Sequence, residues 1–284
     1  MNEILRLQTF MQISKYIVFV LALLYIYCPL RHAKRYNYIR IDKILNEIED
    51  IEVMKISNNL ANVTDNDLEK CPYEHLVKKN KDIPISEVFR TQQFEKPNLG
   101  GEYIQKHCLP YQKSAIIVPY RNRKRHLHTF LNYMHFFLQQ QNISYRIFIV
   151  EQNDDYSFNR AKLLNVGALE ALNENYSCLI FSDVDLLPLN TGNIYTCSRL
   201  PRHMCSAIDI FRFNLPYEGL FGGVISIRSD QFKLVNGMSN EYIGWGGEDD
   251  DFYRRLKHHN ITPYRFSPQV SKYTMLTHNK EKPR

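Results

Sequence analysis

A chain of 284 residues with 44% hydrophobic content can bury one sizeable core and still carry an anchor and a linker. Its formal net charge of +6 suits nucleic acid, an anionic membrane surface or a phosphate-bearing substrate. The Lys and Arg residues are spread along the chain with no dense tail and no nucleic-acid motif beside them, so no nucleic-acid partner is expected.

The first element is the apolar run Tyr16–Leu30, YIVFVLALLYIYCPL, between Arg6 and Lys15 on one side and Arg31, Lys34 and Arg35 on the other. It reads as a membrane signal-anchor (16–30) after a cytosolic tail (1–15), followed by a stem (31–70) and a globular domain (71–284). At 15 residues it is shorter than the roughly 20 of a usual spanning helix, which leaves a thin bilayer or a signal peptide as readings. The basic residues after it favour a cytosolic globular domain by the positive-inside rule. Four Asn-x-Ser/Thr acceptors, at Asn62, Asn142, Asn175 and Asn260, each common by chance, can be glycosylated only in a lumenal or extracellular one. Beyond Cys28, the five cysteines Cys71, Cys108, Cys178, Cys197 and Cys205 suggest two bridges and a free thiol in an oxidising compartment, or five reduced thiols in the cytosol.

In the stem, Ile41, Ile44, Ile48 and Ile51 recur at helical spacing. Two such stems would pair in a homodimer, but a helix near the marginal length of about 12–15 residues reads more simply as a solvated spacer.

From Cys71 the composition turns globular. The strand pattern SAIIVPY, a helix-like stretch ending near Gln141, the strand YRIFIVEQ, a helix over Asn159–Leu172 and the strand CLIFSDVDLL form a β-α-β rhythm. They predict an α/β fold with a Rossmann-like, mostly parallel sheet flanked by helices. Ligands of such sheets sit at the carboxyl ends of strands. Pro119–Arg123, Glu151–Asn153 and Asp183–Asp185 occupy such ends.

Asp183-Val184-Asp185 closes the third strand, so the two carboxylates are expected on one face and Val184 on the other. Paired oxygens there suit a hard divalent cation that bridges a diphosphate, although Asp-x-Asp alone is common. In Pro119-Tyr120-Arg121-Asn122-Arg123 the proline and asparagine are expected to end the strand. The arginines suit a nucleotide's phosphates or base edge, against the plainer reading of a solvated basic loop. Trp245-Gly246-Gly247-Glu248-Asp249-Asp250-Asp251 joins the only tryptophan to a glycine pair and four acids that open a helix. Helix-dipole complementarity accounts for these charges at about 0.3–1 kcal/mol each, but not for the tryptophan or the glycines. An aromatic platform beside clustered carboxylates suits a sugar hydroxyl and a general base. Met275-Leu276-Thr277-His278 offers a histidine that alone is an ordinary residue, beside a thioether that matches a hard cation poorly.

Taken together, PYRNR, FNRAKLLNVG, FSDVD, LPYEGLFGGV, NGMSNEYIGWGGEDDDFYRRL and MLTH, in this order and spacing, resemble the β1,4-galactosyltransferase family of inverting glycosyltransferases from about Cys71 onward. The resemblance implies a GT-A-type fold and a single-pass type II Golgi membrane protein with a lumenal catalytic domain, a topology that outweighs the basic flank. It implies UDP contacts from Pro119, Arg121, Arg123, Phe158, Arg160, Asp183 and Val184, and a Mn2+ cofactor held by Asp185, Met275 and His278. Asp249 is then the catalytic base, assisted by Glu248 and Asp250. Trp245 lies on a mobile loop that closes over the donor, hinged by Gly244, Gly246 and Gly247. The acceptor glycan lies against Tyr217, Gly246, Gly247, Asp249 and Asp250. The implied bridges are Cys71–Cys108 and Cys178–Cys197, with Cys205 free.

Met-x-x-His resembles the branch of the family that acts on GlcNAc, whereas the xylose-directed branch carries His-x-His there. Leu220, which with Gly223 is expected to line the donor pocket, stands where galactose-transferring members carry a tyrosine that crowds the donor's C2 substituent. In this it resembles invertebrate members that transfer N-acetylgalactosamine, so UDP-GalNAc is the expected donor. The alternatives are a UDP-galactose transferase with a relaxed pocket and a catalytically silent Golgi protein that binds UDP or glycans. Relatives continue past the metal histidine with a segment that forms the acceptor's N-acetyl pocket, so the catalytic domain reads as short at Arg284.

Overall fold

The computed structural model describes residues 2–33, 36–49, 68–83, 94–244 and 246–278. The chain divides into two compact units, Met1–Asn37 and Tyr38–Arg284. The first contains helix α1 (Asn2–Ala33). Its window Phe10–Tyr27 has a mean hydropathy of 1.7, none of it buried, and is long and apolar enough to cross a membrane. The helix extends on both sides of the 15-residue run, and the 18 residues of this window rise about 27 Å.

The second unit takes in part of the expected stem. Ile39 bridges to Phe266, and on helix α2 (Ile44–Glu49) both Ile44 and Ile48 are fully buried in the core beside α3 (Glu74–Lys79). The i, i+4 apolar face that would pair two stems is thus satisfied within the chain, and these two isoleucines are not free for a homodimer contact. Ile51 lies outside the described residues.

The main sheet is built from β1 (Glu102–Tyr103), β2 (Lys113–Tyr120), β3 (Ser144–Glu151), β4 (Cys178–Ser182), β6 (Arg202–His203) and β8 (Val224–Arg228), in the order β1-β3-β2-β4-β8-β6. Between β4 and β6 lies β5 (Leu186–Pro188), and β7 (Ala207–Ile208) follows β6; with β9 (Lys272–Met275) they make a second sheet, β5-β9-β7. Within the main sheet, among the described residues, only β3-β2-β4 runs parallel, joined through helices α4 (Lys124–Gln139) and α5 (Arg160–Asn173); in the second sheet β7 also pairs parallel with β9. β1, β6 and β8 pair antiparallel, so the sheet is mixed where a mostly parallel one was expected. The chain reaches β8 through the 189–223 excursion rather than a crossover helix, which lets it return antiparallel.

Alternation along β2 splits the core in two. Ile116 and Val118 join Phe130, Tyr133 and Phe137 of α4 on one face. Ala115 and Ile117 join Ala161, Leu164 and Ala168 of α5 on the other, with Phe252 and Leu256 of helix α7 (Glu248–His258). Helix α6 (Ser229–Leu234) precedes α7 and adds Phe232 to the same cluster. The bridges Cys71–Cys108 and Cys178–Cys197 are both formed, and Cys205 is free and buried.

Candidate functional site

The carboxyl ends of the parallel strands carry the chemistry. β2 runs through Pro119 to Tyr120, and it is Asn122, at φ 51°, that turns the chain away. The Tyr120 carbonyl accepts from Gln152 N on the β3 side, so the missing N–H of Pro119 faces the β4 side, where pairing has already ended at Ile117. Asp183 to Asp185 also departs from expectation. β4 stops at Ser182 and Leu186 N donates to Asp183 O (3.3 Å), so the acids sit in a turn beyond the strand rather than on a strand face.

Asp183 accepts from Arg160 Nε (2.7 Å). Asp185, 5% exposed, accepts from Arg123 Nη1 (2.8 Å) on Oδ2, and His278 Nδ1 lies 3.0 Å from the same oxygen. His278 reaches it because β9 pairs with β5, with Met275 opposite Leu186 and Leu276 N donating to Asp185 O (2.8 Å). Burial raises the Asp185 carboxyl above its ordinary range and the Asp183 charge adds to this, while His278 and Arg123 oppose it. A divalent cation would relieve that repulsion. Among the described residues no three His, Cys, Asp or Glu side chains cluster as a metal site; the β5–β9 register sets Met275 opposite Leu186, the residue after Asp185. The Asp185 carboxylate and the His278 imidazole suit a divalent cation and leave coordination places for phosphate oxygens, while a thioether is a weak donor to such an ion. Arg123 lies on the Asp185 carboxylate. Arg121 packs over the Phe158 ring (5.3 Å to the centroid) and donates to Tyr156 O (2.5 Å).

Arg160, on the first turn of α5, links the two halves of the site. Besides Asp183 it donates to Gly223 O (3.3 Å) and lies 3.5 Å from Glu248 Oε1. Burial pulls against its charge, and Asp183 and Glu248 outweigh the burial. Glu248 is 7% exposed with Oε2 unpartnered, and burial raises its carboxyl despite Arg160. Burial likewise raises Asp249, opposed by Arg160 and reinforced by Asp250. The Asp249 carboxylate rests on backbone: a Cβ added at Gly222 would lie 2.3 Å from Asp249 Oδ2. Tyr217 OH donates to Asp250 Oδ1 (3.0 Å).

Gly244, Gly246 and Gly247 all have φ near +90 to +100° (89°, 100° and 93°), which suits glycine. The loop is tethered by Gly244 N to Phe158 O (2.8 Å), and by Asn159 and Asn165 to Asn240. Trp245 lies outside the described residues. Val184 is buried, Leu220 half-buried, and Gly223 meets Cys205.

Two residues beneath the site carried no sequence signal. His203 donates from Nε2 to Gly222 O (3.0 Å) and accepts at Nδ1 from Arg265 Nε (3.1 Å). Burial and then Arg265 push its pKa down to about 3, which keeps it neutral in this tautomer. Arg265 also donates to Glu218 O (2.6 Å) and Leu220 O (2.7 Å).

The fold is that of a GT-A-type glycosyltransferase catalytic domain. Residues 71–198 match a family described as the N-terminal region of glycosyl transferase group 7, and 202–279 match one described as the N-terminal domain of galactosyltransferase. The chain is 45% identical over 201 residues to cattle (Bos taurus) β-1,4-galactosyltransferase 1, covering 70% of this chain and 50% of that protein. It is 43% identical over 211 residues to human (Homo sapiens) β-1,4-galactosyltransferase 2, covering 73% and 56%. It therefore spans about half the length of these relatives. The crystal structure of the Drosophila β1,4-galactosyltransferase 7 catalytic domain complexed with xylobiose superposes with a TM-score of 0.55 at 33% identity, covering 61% of this chain and 76% of that one. A mutant of the same fly protein, complexed with manganese, UDP-Gal and xylobiose, gives the same TM-score at 32% identity, with the same coverage. The chain belongs to the β1,4-galactosyltransferase family.

Proposed function

We propose that the chain transfers a sugar from a UDP-sugar to a glycan acceptor, inverting the donor to a β1,4 linkage. The observation that carries this is the seating of the Asp249 carboxylate on Gly222, with Arg160 spanning from Glu248 to the strand-end Asp183. Asp249 takes the proton from the acceptor hydroxyl as that oxygen attacks the anomeric carbon from the face opposite UDP, and its raised pKa suits it to hold that proton. Glu248 and Asp250 hold neighbouring acceptor hydroxyls, and Arg121 and Arg160 face the donor. Asp185, His278 and Met275 would hold Mn2+, which supplies charge to the leaving diphosphate when bound. The complex of the fly relative with manganese and UDP-Gal supports this.

Leucine at 220 is smaller than a tyrosine and would admit an N-acetyl group, so UDP-GalNAc is the preferred donor and the Met275-x-x-His278 pair favours a GlcNAc-type acceptor. Helix α1 anchors the chain in the Golgi membrane with the catalytic unit lumenal, a placement that suits the two disulfides. Competing UDP-GalNAc against UDP-Gal on a GlcNAc acceptor with Mn2+ tests the donor. The wild type should prefer UDP-GalNAc, and Leu220→Tyr should shift preference toward galactose by about 10- to 200-fold. Clear galactose preference in the wild type refutes the donor assignment. UDP binding without transfer or hydrolysis, unaffected by Asp249→Asn, refutes the enzyme.

A further inference from the structure

We propose that Arg265 and His203 are positioning residues that set donor selectivity by fixing the backbone of Glu218–Gly222 from beneath. The inference rests on the donor role proposed for Leu220. Arg265 is 6% exposed, and its hydrogen bonds run to the Glu218 carbonyl, the Leu220 carbonyl and the His203 imidazole, all uncharged. Burying a guanidinium whose hydrogen bonds go to neutral acceptors rather than to a carboxylate costs free energy that a neutral residue would spare. Here the planar fork does what no aliphatic side chain could: it holds the two carbonyls flanking Gly219 and, at the same time, the imidazole. His203 passes the restraint on, because its Nε2–H holds the Gly222 carbonyl.

Three carbonyls in five residues, those of Glu218, Leu220 and Gly222, are thereby tied to one buried pair. The loop carries Leu220, to which the donor's C2 substituent is assigned above, and Gly222, which supports Asp249. A shift of this backbone therefore moves the pocket wall and the base together. The UDP contacts at Arg121, Arg160 and Asp183 belong to other segments, and Arg160 and Asp183 are bonded to each other.

The test uses the full chain in detergent with Mn2+. Arg265→Lys keeps the charge but gathers its donors on one nitrogen, which cannot stand at the Nε and Nη2 positions together. It should change the UDP-GalNAc to UDP-Gal ratio of kcat/KM at least about fivefold and lower kcat, while inhibition by UDP stays within about twofold. Amide exchange in Tyr217–Gly223 should rise at least about tenfold with β2–β4 unchanged. His203→Leu should behave the same way. His203→Gln, whose amide can both accept from Arg265 and donate to Gly222 O, should restore the ratio to within about twofold. An Arg265→Lys enzyme that loses activity equally on both donors, with unchanged exchange in the loop, overturns the inference and leaves Arg265 a stabilising residue only. A wild type that transfers neither sugar overturns the functional reading instead, and unchanged loop exchange in Arg265→Lys then overturns the positioning role independently.

Discussion

Replacing Gly222 by alanine tests whether Asp249 acts from the seat the backbone provides. Gly222 is outside the left-handed region, so an alanine there carries no backbone penalty. Its Cβ would stand 2.3 Å from Asp249 Oδ2 and 3.2 Å from Cγ. Ordinary contact begins at 3.4 Å, so the carboxylate must retreat by about 1 Å, a misplacement that costs about 100-fold in rate. That corresponds to about 2.7 kcal/mol in the barrier. Initial rates of transfer with saturating donor and Mn2+ measure kcat, and inhibition by UDP reports the donor site separately. Gly222→Ala should lose about 100-fold in kcat with UDP inhibition nearly unchanged. An enzyme that keeps kcat to within about threefold would show that Asp249 does not act from this position, and the assignment of the base would fall.

A base with a raised pKa must lose activity as pH falls through that value, so the acid limb of the pH-rate profile should lie above the ordinary carboxylate range. Asp250→Asn removes a charge that raises Asp249, so the limb should move to lower pH; an upward movement would contradict the repulsion between the two carboxylates. Chelation should abolish transfer and added Mn2+ restore it, and Asp185→Asn should raise the Mn2+ concentration for half-activation; transfer surviving exhaustive chelation counts against the metal. Opening Cys178–Cys197 with serine at both positions frees a loop of sequence separation 19 and should lower stability by about 3 kcal/mol, read from denaturant midpoints. Asn175 and Asn260 are exposed, whereas Asn142 is half-buried and bonded to Gln105. In a secretory host, Asn175→Gln and Asn260→Gln should each reduce the glycan mass removed by endoglycosidase, while Asn142→Gln leaves it unchanged.

The β2-α4-β3-α5-β4 core was legible because apolar runs and helical spacing are local signals. The same local reading failed at Asp183–Asp185, where a turn back into β5 overrides strand alternation, and at Ile44 and Ile48, whose partners lie far along the chain. Motif spacing drew attention to Asp249, Asp185 and His278, and their proximity to Arg160 and Arg123 came only from the fold. Arg265 was invisible for the same reason: its acceptors are 45, 47 and 62 residues away, and nothing in Tyr264-Arg265-Phe266 marks a buried fork. The antiparallel β8 could not be read either, since an apolar run carries no direction.

Because β9 lies between β5 and β7, His278 reaches Asp185 only once that strand has docked. Closing a loop of roughly 90 residues costs about 4 kcal/mol of chain entropy beyond a constant term. An ion held across that junction would bind the native chain in preference to the unfolded one and act as a clasp on the second sheet. Cation depletion in the compartment would then do more than silence the chemistry: it would loosen the strand that completes the domain, leaving the protein easier to unfold and to degrade.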